Sequence, residues 1–437
     1  MVFRQFVDDD LGCASYLIGD EKTGEAVVVD PAYSIEQYVE EAGARKLKIV
    51  RVLETHTHAD HVSGHGRLAL EHGVPVSIHP AAEPAFAFEP LEDGQELELG
   101  DLGIRVLHTP GHRPEHCCFL VDGRMLLSGD SLLVGDAARP DLAVEATEGA
   151  EGMYHSLRRL ADLPESTDVY PGHVAGSLCA TGISADHSST IGRERKTNRA
   201  LALDDVQEFI AATTNITAPR PPTTERVVAL NKAPFIGAQP PPPKLDSFDG
   251  QTLDVRPAHE FAAGHARGAL NVPVSGSSFG TKAAFVLESE PFAILAPSGE
   301  AAELAARRLH AVGLLDIAGV LTTAVADERL EPIDLDELER LLENDDVEVV
   351  DVRELSERDD GYIAGSRNIP YRVVRAFADE LADGPPVVTI CESGARAAIA
   401  ASVLAAAGVD ARPVLDGGIQ DWEARGHQTV AFRRCGR

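Results

Sequence analysis

Residues 56 to 61 read His-Thr-His-Ala-Asp-His, one residue after an apolar run, KIVRVLE, at 48 to 54. Three imidazoles and a carboxylate leaving one strand together converge on a small volume, and burying them is costly unless something binds them. A solvated polar loop would account for a lone histidine, not for this cluster. Further candidates stand where other apolar runs end: His112 in TPGH, Asp130 in SGDS and His173 in YPGH. Scaffolds built on sheets carry their chemistry on such loops.

The surrounding pattern predicts those sheets. ASYLIGDEKTGEAVVVDP, residues 14 to 31, reads as two strands around a turn, and SIEQYVEEAGAR as a helix. VPVSIHP, GIRVLHTPGH, HCCFLVD and RMLLSGD are short apolar runs bounded by Gly, Pro and Asp, as strands with functional ends are. Cys117 and Cys118 are adjacent on one of them, so they point to opposite faces and core packing is expected of both. Pro240 to Pro243 predict an extended spacer.

Beyond the spacer the chain repeats itself. Asp254, Arg256, Glu260, Gly264, Gly268, Asn271 and Pro273 match Asp351, Arg353, Glu357, Gly361, Gly365, Asn368 and Pro370 at a constant offset of 97. Ser298, Gly299 and Gly313 then match Ser393, Gly394 and Gly408 at 95. One short indel explains the change, and two domains of one α/β fold explain the register.

With its HxHxDH run and the later His, Asp and His, the segment from residue 1 to 235 resembles the metallo-β-lactamase superfamily. The resemblance implies an αββα sandwich with the site at one edge. The run GDSLLVGDAARPDL, Gly129 to Leu142, is similar to the persulfide dioxygenases, relatives of glyoxalase II, and the proline-rich tail leaves no room for a glyoxalase II type helical extension. That resemblance implies one Fe(II) held by His56, His112 and Asp130, two imidazoles and one carboxylate that leave positions for O2 and a substrate sulfur. His58, Asp60, His61 and His173 would orient ligands or hold waters. In a dinuclear zinc enzyme the same four would be ligands, and the letters do not separate the two cases. Arg139 is a candidate for positioning substrate; an exposed surface arginine is the competing reading. Cys179, close after His173, is a second candidate for carrying persulfide, and Cys13 and Cys435 carry no signal.

Cys391-Glu-Ser-Gly-Ala-Arg396 lies between an apolar strand, PPVVTI, and an Ala-rich helix. Backbone N–H groups and the positive helix end favour a thiolate there and can cradle an anion. A buried structural cysteine fits poorly with a glycine loop ending in arginine. With DVRE at 351 to 354, GYIAGSRNIP at 361 to 370 and LDGGIQDWEARG at 415 to 426, residues 333 to 437 resemble rhodanese. The resemblance implies Cys391 as nucleophile, Arg396 as anion binder, and Glu392, Ser393, Gly394 and Ala395 as the substrate loop. In the first repeat, 247 to 326, Ala296 and Ala301 stand where Cys391 and Arg396 stand in the second. That domain is expected to be inert, a structural or docking module, with residues 236 to 246 as linker.

The expectation is thus an α/β multi-domain chain, a sandwich followed by two rhodanese-like domains. It would oxidise a low-molecular-weight persulfide to sulfite and move sulfane sulfur to or from thiosulfate. The alternatives are a two-zinc thioester hydrolase with an appended sulfurtransferase, and a sulfur-binding docking module. Seventy acidic against 39 basic residues give a net charge of −31 and only seven lysines. Such a surface argues against nucleic acid and anionic membranes as partners and suits a salt-rich cytoplasm. The first residues, MVFRQFVDDD, do not read as a signal peptide. The six scattered cysteines predict no disulfide framework. A homo-oligomer is expected.

Overall fold

The computed structural model describes residues 1–437 except 141–144, 175–183, 185, 215–219, 289, 345 and 431–437. Cys179, Cys435 and the end of the Gly129–Leu142 run lie outside the described residues. The chain divides into two units, Met1–Gln239 with His310–Gly313, and Pro240–Leu309 with Leu314–Arg437.

Among the described residues, the first unit is built on two six-stranded sheets. One is ordered Val2–Val7, Ala14–Asp20, Glu25–Val29, Lys48–Leu53, Val76–Ile78, Glu89–Pro90; the other runs from Glu96–Leu99 through Leu102–His108, Cys117–Val121, Met125–Gly129 and Asp168–Pro171 to Ser189–Thr190. Strand periodicity sorts the side chains into three cores. Tyr16, Ile18, Val27, Val29 and Leu53 meet Leu97, Leu99, Ile104, Val106, Phe119 and Leu127 between the sheets. The opposite face of the first sheet, with Leu17, Val28 and Val52, is covered by Ile35, Tyr38, Ala42 and Leu68. That of the second, with Leu107, Leu120 and Leu126, is covered by Met153, Leu157, Leu160 and Phe209 of helices Ala146–Ala161 and Val206–Thr214. This is the αββα arrangement. Cys117 falls in the inter-sheet core and Cys118 in the outer one, on opposite faces as the alternation requires.

Parallel pairing decides where the site forms. Lys48–Leu53 lies parallel beside Glu25–Val29, and Met125–Gly129 parallel beside Asp168–Pro171. Parallel neighbours release their loops at the same end, so Asp30, the His56–His61 loop, Asp130 and His173 gather at one edge. Two helices, Val206–Thr214 and Thr224–Lys232, precede the proline run where the sequence predicts no helical extension; each buries a side chain, Phe209 and Asn231, in the sandwich.

Among the described residues the second unit holds two parallel sheets of related order. In the first, Ile317–Leu321, Phe292–Leu295, Thr252–Asp254 and Leu270–Asn271 are neighbours in that order; in the second, Ala411–Pro413, Val387–Ile390, Glu348–Asp351 and Arg367–Asn368. The repeated letters make the same bonds twice. Arg256 pairs with Asp254 and donates to the Gly264 carbonyl; Arg353 pairs with Asp351 and donates to that of Gly361. Asn271 Nδ2 donates to the carbonyls of residues 254 and 256, and Asn368 Nδ2 to those of 351 and 353. Among the described residues, no helix is long and apolar enough to cross a membrane.

Candidate metal centre and sulfur-transfer loop

His56, His112 and Asp130 offer ligand atoms that all lie within 4.8 Å of one another, and all three residues are buried. Asp130 Oδ2 is 3.5 Å from His112 Nε2 and 4.0 Å from His56 Nε2. Each imidazole has its other nitrogen engaged: His112 Nδ1 donates to the Arg139 carbonyl at 2.7 Å, and His56 Nδ1 lies 2.8 Å from Thr55 Oγ1, which itself donates to Asp30. The Nε2 lone pairs are therefore left for the space they share. Asp130 Oδ1 is bound by His173 Nδ1 at 2.7 Å, whereas Asp130 Oδ2 is buried without a hydrogen-bond partner. A buried carboxylate oxygen facing two imidazole lone pairs is unfavourable until a cation joins them, so these residues fit a metal ion.

Electrostatics agrees with neutral imidazoles beside an ionised carboxylate. Burial, reinforced by His58 and His112, pushes His56 well below the ordinary histidine range. Burial also lowers His112, despite Asp130. Burial alone would raise Asp130, but His173 outweighs it and holds that carboxyl low.

The other predicted residues fall into two neighbouring groups. Cys13, Asp60 and His61 form one. The Cys13 thiol donates to Asp60 Oδ2 at 3.0 Å and lies 3.3 Å from His173 Nε2 and 3.6 Å from His61 Nδ1, with His173 Nε2 2.8 Å from the same carboxylate oxygen. The sequence assigned Cys13 no signal; the bridge between Cys13 and His173 brings its thiol into the site. Asp30, Glu54 and His58 form the other group. His58 Nε2 is 3.2 Å from Glu54 Oε2 and 3.3 Å from Asp30 Oδ1, an ion pair by distance although Glu54 Oε2 and His58 Nε2 lack hydrogen-bond alignment. Burial alone would lower His58; the two carboxylates outweigh it and raise it well above the ordinary range. Arg139 is 6% exposed, which excludes the exposed-surface reading.

Four residues that the sequence did not assign to the site position these groups. His116 Nε2 accepts the backbone N–H of Asp130. Gly129, at φ +49°, makes that approach possible, since a Cβ there would lie 2.6 Å from His116 Nε2. Asn231 Nδ2 donates to the carbonyls of His58 and His61 at 2.9 and 2.8 Å, and Asn231 Oδ1 accepts from Ser63 N at 2.8 Å. Glu54 Oε1 accepts from Ser63 Oγ and faces His65 Nδ1.

In the second unit Cys391 follows strand Val387–Ile390, and Gly394, at φ +88°, caps helix Ala395–Ala406. A Cβ on Gly394 would lie 2.3 Å from the Leu415 carbonyl oxygen, which only glycine avoids. The Cys391 side chain is buried, at 1% exposure. Arg396 gives two N–H groups to Glu357 at 2.6 and 2.7 Å, and Glu392 pairs with Arg353 at 3.2 Å. The loop's arginine is thus already paired with a carboxylate. In the first repeat Ala296 follows the corresponding strand, with neither thiol nor guanidinium. That repeat contacts the helix after Cys391, where Asn271 N donates to Ser402 Oγ at 3.0 Å.

Residues 8–173 match the Metallo-beta-lactamase superfamily, and residues 334–425 the Rhodanese-like domain. Persulfide dioxygenase ETHE1, mitochondrial, of Bos taurus is 30% identical over 248 residues, 55% of this chain and 91% of that protein. A hydroxyacylglutathione hydrolase of Alkalilimnicola ehrlichii is 34% identical over 261 residues, 57% of this chain and 91% of the relative. A crystal structure of a metallo-beta-lactamase from Staphylococcus aureus superposes with a TM-score of 0.69 at 30% identity, covering 74% of this chain and 98% of its own.

Proposed function

Because the chain belongs to the metallo-β-lactamase superfamily and carries a rhodanese-like domain toward its carboxyl end, we propose that it oxidises the outer sulfur of a small-molecule persulfide and transfers sulfane sulfur through Cys391. The observation that carries the first half is the buried convergence of His56, His112 and Asp130 around the unpartnered Asp130 Oδ2. Two imidazoles and one carboxylate are the donor set of non-haem Fe(II) oxygenases. The similarity to a persulfide dioxygenase supports the same reading.

On this reading His56, His112 and Asp130 hold one iron, which when bound supplies the redox chemistry that lets O2 react with a sulfane sulfur. The balance is RSSH plus O2 plus water giving RSH, sulfite and two protons; the four electrons O2 accepts come from the outer sulfur. The Arg139 carbonyl and Thr55 fix the two imidazoles, and His173 keeps Asp130 ionised and oriented. At the second site the Cys391 thiolate takes the outer sulfur of a second persulfide, breaking its S–S bond and releasing its thiol, and sulfite then removes that sulfur as thiosulfate, which restores the thiolate. Fusing the two domains raises the effective concentration of the intermediate they share. We place the reaction in sulfide detoxification in a cytoplasm.

A second reading, a two-metal thioester hydrolase, is favoured by the hydrolase relative and by the Cys13, Asp60 and His61 group. One experiment separates them. Protein purified anaerobically is expected to contain one iron per chain and to consume O2 with glutathione persulfide, releasing one sulfite per O2. Zinc in place of iron, with thioester hydrolysis and no O2 uptake, overturns the proposal.

A further inference from the structure

We propose that Glu357 is a specificity-determining residue of the Cys391 site: by occupying the paired N–H groups of Arg396 it denies them to the oxygens of thiosulfate, so that Cys391 takes its sulfur from a persulfide in preference to thiosulfate. The inference rests on Cys391 transferring sulfane sulfur, as proposed above. Loading breaks an S–S bond with either donor. A persulfide gives its outer sulfur to the Cys391 thiolate and leaves as the thiol, which keeps the persulfide proton. Thiosulfate gives its outer sulfur and leaves as sulfite, so the bonding pair departs onto a group with three oxygens. Of the two leaving groups, only sulfite presents at the broken bond the oxygens that a guanidinium fork binds two at a time.

That fork is already filled. Arg396 Nη1 and Nη2 donate to Glu357 Oε2 and Oε1 at 2.6 and 2.7 Å. The carboxylate is also anchored from its own turn, Leu355–Asp359, where Oε2 accepts the Glu354 N–H at 2.9 Å, so its place does not depend on Arg396. Neighbouring guanidinium groups are committed as well. Arg353 donates to Asp351, to the Gly361 carbonyl and to Glu392, and Arg372 donates to Glu354. A pocket of about 330 Å³ beside the loop is lined by the carboxylates of Glu357, Asp360, Glu392 and Glu423, with Arg353 as its one guanidinium. An oxyanion that used Arg396 would have to displace a fixed carboxylate while facing three more. Glutamine at position 357 keeps an oxygen for the Glu354 N–H but replaces a charge-assisted pair by a neutral one, which releases the fork.

The test follows loading of Cys391 in the full chain, without O2 so that persulfide is not oxidised. Wild type, Glu357→Gln, Asp360→Asn and the double variant Glu357→Gln with Arg396→Gln are mixed with thiosulfate or with glutathione persulfide. Sulfur bound to Cys391 is counted against time by mass spectrometry. The ratio of the thiosulfate to the persulfide rate constant is expected to rise roughly tenfold in Glu357→Gln, the effect of removing one charge-assisted competitor. Asp360→Asn removes an exposed charge from the same pocket and leaves the Arg396 pair in place, so it is expected to move the ratio by less than about twofold. In the double variant the gain is expected to vanish. An unmoved ratio in Glu357→Gln, an equal rise in Asp360→Asn, or a gain that survives the loss of Arg396 overturns the inference. In wild type thiosulfate is expected to be the slower donor; thiosulfate as fast as persulfide overturns the inference even should Glu357→Gln fail to fold. A wild type that neither donor loads refutes the transfer reading and this inference with it, whereas loading with an unmoved ratio refutes the role of Glu357 alone.

Discussion

His116 Nε2 accepts the backbone N–H of Asp130 at 3.0 Å, while its Nδ1 lies 2.8 Å from Thr109 Oγ1. A backbone nitrogen can only donate, so the tautomer follows: Nε2 carries the lone pair and Nδ1 the proton. Burial, with His112 next in effect, pushes this imidazole down to about 3, so it stays neutral and able to accept. His116 therefore fixes the backbone from which Asp130 projects, without itself being one of the three proposed donors. His116→Ala is expected to fold and to lose roughly 10–100-fold in metal affinity, and His116→Gln, whose amide oxygen can accept the same bond, to recover part of it. Competition against a chelator measures both.

Asn231 makes the corresponding contribution to the histidine loop. Its side chain closes three hydrogen bonds to residues 58, 61 and 63, and it is 4% exposed. Asn231→Ala leaves two carbonyls and one N–H buried without partners, at about 1–3 kcal/mol for each such group that water does not reach. A loss of roughly 2–4 kcal/mol in unfolding free energy is expected, together with loss of bound metal. Asn231→Asp keeps the acceptor for Ser63 N and removes both donors, and should be no better than alanine. Denaturant unfolding of the metal-free and metal-loaded proteins measures it.

These two positions mark where the sequence was legible and where it was not. His56, His58, Asp60, His61, His112, Asp130 and His173 could be read because each is an ionisable residue at the end of an apolar run, and strand order then brings the ends together. Cys117 and Cys118 could be read from alternation alone. Asn231 lies 168 residues from Ser63 in sequence, on a short helix with ordinary polar letters, so nothing local announces its bonds. Cys13 is one thiol among six until strand pairing carries it to His173. The repeat was visible letter by letter, and so was its break at Ala296 opposite Cys391; that Asp254, Arg256 and Asn271 recur because they make the same bonds twice required the fold. Arg396 was read as an anion binder, and its bidentate pairing with Glu357 required the fold.

That pairing carries a pH dependence. Burial alone would raise the Glu357 carboxyl, but the two hydrogen bonds from Arg396 outweigh it and hold it below the ordinary glutamate range. A carboxyl whose folded value is depressed adds stability above its unfolded value, about 4.3, and loses it as pH falls through the folded value. Stability of the wild type should therefore fall between about pH 5 and 3 more steeply than that of Glu357→Gln, with the two curves parallel above about pH 6. The difference should be about 1 kcal/mol or less, because 34% of the Glu357 side chain is in water. Denaturation of the two proteins across that range measures it.

The last expectation separates the two chemistries. Cys391 supplies the only thiol of the rhodanese-like loop, between Ile390 and a helix whose first turn carries Arg396. Serine keeps the size and a hydrogen-bonding atom but cannot hold a sulfane sulfur at neutral pH. Cys391→Ser should therefore abolish transfer of sulfur between thiosulfate and a thiol, by at least about 10³-fold, as loss of an activated nucleophile does. Its stability should fall by about 1–3 kcal/mol, because Cys391 is 1% exposed and serine buries a more polar group there. Because His56, His112 and Asp130 belong to the other unit, iron content and O2 uptake with persulfide should match wild type, with sulfite rather than thiosulfate accumulating. Measuring O2, sulfite and thiosulfate in one reaction decides it: loss of O2 uptake in Cys391→Ser would mean that sulfur must reach the metal by way of Cys391, and the two sites would then act in the reverse order.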